Sequence, residues 1–122
     1  MKRTLLTLVT IALAVACSEN KQPQPFSVIP MPNDVTLAEG SFNVAGAPVT
    51  CDENLDEASA KAIQGFVKTL ETVTGKVGKD GKDGGIHFGL NPNLGAEEYV
   101  LQVKPDGVKV EASAFGGFFY AI

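Results

Sequence analysis

Two alternating runs face each other across Pro105-Asp106-Gly107 near the end of the chain, and they constrain the fold more than any other feature. In Tyr99–Lys104 the apolar side chains Tyr99, Leu101 and Val103 share one face. In Val108–Ala112 the matching set is Val108, Val110 and Ala112. Proline presets φ in a turn and glycine tolerates a positive φ, so the tripeptide predicts a tight reversal between two antiparallel strands. Alternation and turn chemistry agree, which makes this hairpin the firmest β prediction. Ile86-His87-Phe88-Gly89-Leu90 alternates as well and predicts a third strand, with His87 turned away from the apolar face. Asn91–Gly95 is a turn-rich connection between them.

Residues 54–74 read as a helix. Leu55, Ala58, Ala62, Ile63, Phe66, Val67, Leu70 and Val73 recur every three to four positions. Asn54 and Glu57 have capping-box spacing, and Asp56 and Glu57 suit the positive end of the helix dipole. Gly75 fits the left-handed position that closes a helix. Gly65 carries an interior penalty of about 1 kcal/mol, which a close approach to a sheet would explain. Val35, Leu37, Phe42 and Val44 around Glu39-Gly40 predict a further short hairpin. Pro30 and Pro32 exclude both a helix and a central strand for residues 26–32. Residues 75–85 read as a flexible polar loop, and Ala114–Ile122 as the start of a packing helix. That last run is apolar to its final residue, with no terminator, which leads us to expect a domain interrupted within an element.

The N-terminus reads as an address. Lys2 and Arg3 precede the apolar run Leu5–Ala16, which is too short for a span of about 20 residues but suits a signal peptide. Leu13-Ala14-Val15-Ala16-Cys17 resembles a bacterial lipobox, with Ala14 where leucine is commonest. The expected organisation is a signal peptide over residues 1–16, a tether over 17–26 with lipid attached at Cys17, and one domain over 27–122. A lipid anchor ties a protein to a bilayer without inserting the domain. The expected location is therefore the outer or periplasmic face of a bacterial envelope membrane.

Composition narrows the function. The net charge of −4 argues against a nucleic-acid partner, which needs a basic face. Two cysteines cannot build a disulfide scaffold or a four-ligand zinc site. The 122 residues are too few for a (β/α)₈ enzyme of roughly 200 or more. No catalytic constellation is legible. His87 is the lone histidine, without a nucleophile or carboxylate beside it in sequence. Asp52-Glu53 and Asp56-Glu57 read as solvated acids at a helix start. Asp80 and Asp83 lack the spacing of a calcium loop. Cys51 reads as a small buried residue at a strand end. Tyr99, Phe118, Phe119 and Tyr120 read as core or interdomain contacts rather than as a sugar platform. The residues alone thus give an exported, anchored α/β domain.

A resemblance extends this reading. Val28-Ile29-Pro30-Met31-Pro32 with Glu39-Gly40-Ser41-Phe42 resembles the opening of the small domain of family 20 glycoside hydrolases, the β-N-acetylhexosaminidases. Glu98–Val103, Gly107–Ala112 and Gly117–Ile122 are similar to that domain's later E-x-Y-x-L-x-V, G-h-x-h-x-A and G-x-F-Y-x-I pattern, where h is hydrophobic. The resemblance implies an α+β fold, an antiparallel sheet with helices on one face, packed beside a catalytic (β/α)₈ barrel of the same polypeptide. It also implies a parental hydrolysis of terminal N-acetylhexosamine from glycans, in which the substrate's 2-acetamido group is the nucleophile. The Asp-Glu pair of that reaction belongs to the barrel. No catalytic residue, metal or cofactor is therefore expected here, and the chain alone should be inactive. Family 84 enzymes and some α-glucuronidases carry a similar domain. A free-standing glycan-binding lipoprotein is the reading of a different class.

Overall fold

The computed structural model describes Val28, residues 31–76, Gly78 and residues 84–122. The signal peptide, the tether with Cys17, and Asp80 and Asp83 of the polar loop lie outside the described residues. The chain divides into two units, Met1–Thr36 and Leu37–Ile122. The described residues of the first carry no helix or strand. The second is built in the order β1 (Val49–Cys51), α1 (Glu57–Thr74), β2 (Ile86–Leu90), β3 (Tyr99–Lys104), β4 (Gly107–Ala112) and α2 (Phe115–Ala121).

The four strands form one sheet in the order β1-β2-β4-β3. β1 and β4 each run parallel to β2, and β3 alone runs antiparallel, against β4. The α+β class holds, but the sheet is mixed rather than antiparallel. The hairpin register is as the alternation predicts, with Leu101 opposite Val110 and Lys104 opposite Gly107. Alternation does not say which arm of a hairpin joins the rest of the sheet. Here β4 takes the inner position, and Val110 and Ala112 are buried there. The β1–α1–β2 crossover escapes a sequence reading because β1 has only three residues, too few to show a period.

Helix α1 starts at Glu57, capped by Asp56 rather than by Asn54. Both residue types cap well, but only Asp56 has Ser59 three positions on. The Ser59 backbone N–H donates to Asp56 Oδ1 (2.9 Å) and the Ser59 hydroxyl to Oδ2 (2.6 Å). These bonds hold the Asp56 carboxyl below the usual carboxylate range, the hydroxyl contributing most and the backbone N–H next. At the other end Gly75 adopts φ 65° and donates its N–H to Glu71 O, as predicted. Ala58 and Val73 are exposed, so the buried stripe is narrower than the periodicity suggested.

Both helices contribute to a core on one face of the sheet. Ile63 and Phe118 are buried with Ile86, Phe88, Val110 and Ala112, flanked by Phe66 and Leu70. Phe88 lies at its centre, 5.8 Å from the Phe66 ring and 6.2 Å from the Phe118 ring.

Several local expectations are corrected. No strand forms between Val35 and Val44. Gly40 does turn with φ 107°, but the next turn follows at Val44–Ala47, leaving arms too short to gain cross-strand pairs. Nothing approaches Gly65; the close contact is at Gly117, where a Cβ would lie 2.7 Å from Ala112 Cβ and against Glu98 O. Gly107 has no positive φ. A Cβ there would meet Gly85 O at 3.2 Å, so proximity and not conformation favours glycine. Leu101 and Val103 point to the helix-bearing face, as Val110 opposite Leu101 does, yet they are 47% and 54% exposed. Cys51 ends a strand but is exposed, not buried.

Candidate functional site

The chemically richest cluster lies on the sheet face opposite the core. Parallel register sets Thr50 beside His87, and His87 beside Lys109. Just past β1, the Asp52 N–H donates to Phe88 O (3.0 Å), which fixes its side chain over β2. Asp52 Oδ2 then accepts the Leu90 N–H (2.9 Å), while Oδ1 lies 3.4 Å from His87 Nε2. His87 Nδ1 is 3.0 Å from Thr50 Oγ1. The direction of the His87–Thr50 hydrogen bond follows the imidazole tautomer. Gly89 lies beneath: a Cβ there would stand 3.6 Å from His87 Nε2 and 3.7 Å from Asp52 Oδ2. A methyl at 89 would therefore touch this pair at ordinary van der Waals distance.

His87 therefore has a carboxylate partner after all, supplied by the fold rather than by sequence neighbours. The chain Thr50–His87–Asp52 fastens the end of β1 to β2. It stands on an open sheet face, with both partners of the His87–Asp52 pair about two-fifths exposed. General acid–base work on a substrate gains most in a water-excluded site, and this one is open to solvent. The two acid doublets are not brought together as a catalytic pair. Asp52 binds β2, Asp56 caps α1, and Glu57 reaches Lys61 one turn on (2.7 Å). Lys109 and Glu111 pair at 3.0 Å on β4. Among the described residues, no group of three or more His, Cys, Asp or Glu is placed to hold a metal ion.

The aromatic residues divide. Phe118 is fully buried in the core and Tyr99 is half-buried. Phe115, Phe119, Tyr120 and Ile122 are exposed, with Phe119 at 59%. Phe115, Phe119 and Ile122 follow the i, i+4, i+7 spacing of one helix face, and the Phe115 and Phe119 rings pack with centroids 5.7 Å apart, tilted by 39°. The sequence alone groups Phe118 with its aromatic neighbours Phe119 and Tyr120 as core or interdomain contacts. The structure puts Phe118 inward, one helical step from Phe119.

The described residues thus form a small α+β domain with an apolar outer helix face. The family model "Glycosyl hydrolase family 20, domain 2" matches residues 26–122, most of the chain. The chain belongs to that family. Among solved structures, it is similar to an inactive mutant of the GH20 exo β-N-acetylglucosaminidase from Vibrio harveyi, with a TM-score of 0.59 and 25% identity. The alignment covers 75% of this chain and 14% of that one. The same enzyme in complex with N-acetylglucosamine matches at a TM-score of 0.58 and 24% identity, again over 75% and 14%. The chain thus spans only a small part of the length of these enzymes. No curated protein matches it.

Proposed function

We propose that this chain is the non-catalytic domain 2 of an exported, lipid-anchored β-N-acetylhexosaminidase. In this reading a (β/α)₈ barrel in the same polypeptide removes terminal N-acetylhexosamine from glycans. The observation that carries the reading is the family match over residues 26–122, joined to likeness with a β-N-acetylglucosaminidase at the level of fold. The exposed stripe of Phe115, Phe119 and Ile122 supports it, because an apolar helix face of this kind suits a neighbouring domain. The Thr50–His87–Asp52 cluster has a structural part, holding β1 on the sheet. Lipid at Cys17 would place the domain at a bacterial membrane surface.

The test of inactivity is direct. The purified chain is expected to leave a chromogenic N-acetylglucosaminide intact, and turnover that disappears with His87→Ala would overturn the assignment. The anchor is tested separately. A radiolabelled fatty acid should enter the chain in an expressing bacterium and fail to enter Cys17→Ala.

A further inference from the structure

The two edges of the sheet differ. β1 has three residues and is flanked by Pro48 and Asp52, so it offers little backbone to a partner. β3 offers six residues. It contains no proline, and its only charge is the terminal Lys104. Among the described residues nothing pairs with its outer side. Val100, Leu101 and Val103 are all exposed along it. Natural edges are usually blunted by proline, inward charge or shortness, and β3 lacks all three.

We propose that β3 pairs antiparallel with β3 of a second copy of this chain, about a two-fold axis through Leu101. Its sequence is complementary to itself in that register. Leu101 meets Leu101, Val100 meets Gln102, Tyr99 meets Val103, and Glu98 meets Lys104. Tyr99, Leu101 and Val103 all lie on the helix-bearing face, so their partners join them in one apolar stripe. Opposite charges facing across a pair stabilise it. Glu98 Oε2 already accepts the Gly95 N–H (2.6 Å), which leaves Oε1 for the ammonium of Lys104. Moving the axis one residue to Gln102 sets Glu98 against Asp106, a like-charge clash. Centring it between two residues turns the second copy over and separates the apolar faces. The Leu101 register is thus favoured by both charge and face. The product is one continuous sheet from two copies, with all helices on the same side.

Sedimentation velocity on the full chain should show a concentration-dependent species of twice the monomer mass. Lys104→Glu should abolish it, and Lys104→Glu with Glu98→Lys should restore it. A second measurement is independent of the turn that Glu98 also supports. With Cys17→Ser and Cys51→Ser as background, Leu101→Cys should cross-link to dimer under mild oxidation, and Val103→Cys should not, since Val103 faces Tyr99. The proposal is overturned by a wild type that stays monomeric at every concentration. It is equally overturned by cross-linking at 103 as readily as at 101, or by hydrogen-exchange protection, in the monomer, of the β3 amides that point away from β4, which would assign the edge to this chain's own segments.

Discussion

β2 and β3 are written in the same alternating code and have opposite fates. In β2, Ile86 and Phe88 are buried almost completely, and even Gly89 is buried. In β3, Tyr99 is half-buried and Leu101 and Val103 are about half exposed. Both strands aim their apolar side chains at the helix-bearing face. The difference is position. β2 has a strand on each side and the α1 and α2 side chains above it. β3 has one neighbour, and α2 packs near its start, where Gly117 meets Glu98. Alternation therefore specifies a face, and burial depends on what covers it.

The comparison breaks most readily at its buried end. Phe88→Ala should cost about 3–5 kcal/mol, because the ring contacts α1 and α2 at once and leaves a cavity between them. The urea unfolding midpoint reads this, and a loss below about 1 kcal/mol would remove the contrast with β3. Gly117→Ala comes next. Its methyl would overlap Glu98 O and Ala112 Cβ, so α2 must lift from the sheet at a cost of about 1–3 kcal/mol. Leu101→Ala, measured at dilutions where the chain is monomeric, should change stability by about 0.5 kcal/mol or less. A large loss there would show that the described face of β3 is covered in solution.

The smallest effect concerns pH. Asp56 is held below its ordinary range by the Ser59 hydroxyl and N–H. A carboxyl with a lowered folded pKa contributes stability that is fully present above its unfolded value of about 3.9 and lost as pH falls through the folded value. Asp56→Asn keeps an acceptor for the Ser59 N–H but does not titrate. Thermal melts between neutral pH and acid should therefore show a shallower acid decline for the variant than for wild type. Parallel curves would remove the cap from the account of acid stability.

Much of the local structure was legible. Gly75 closes α1 because few other residues adopt φ 65° without strain. The alternation of residues 86–90, 99–104 and 108–112 located three strands. The start of α1 was ambiguous because Asn54 and Asp56 are both good caps, and the choice rests on a hydrogen-bonding hydroxyl at Ser59. The polar cluster was not legible. Thr50 and Asp52 reach His87 only through the parallel pairing of β1 with β2, which a three-residue strand does not announce.

The sequence by itself located α1, α2 and the strands β2, β3 and β4, the apolar face of each of these strands, and where α1 ends. These are properties of periods, caps and turns within a few residues. Tertiary structure decided the strand order, the mixed direction of the sheet, the burial of Phe118 beside the exposure of Phe119, and the carboxylate given to His87. Each of these depends on segments far apart in the chain meeting on one surface. A period of two or of 3.6 records which way a side chain points, and carries no information about what will be waiting there.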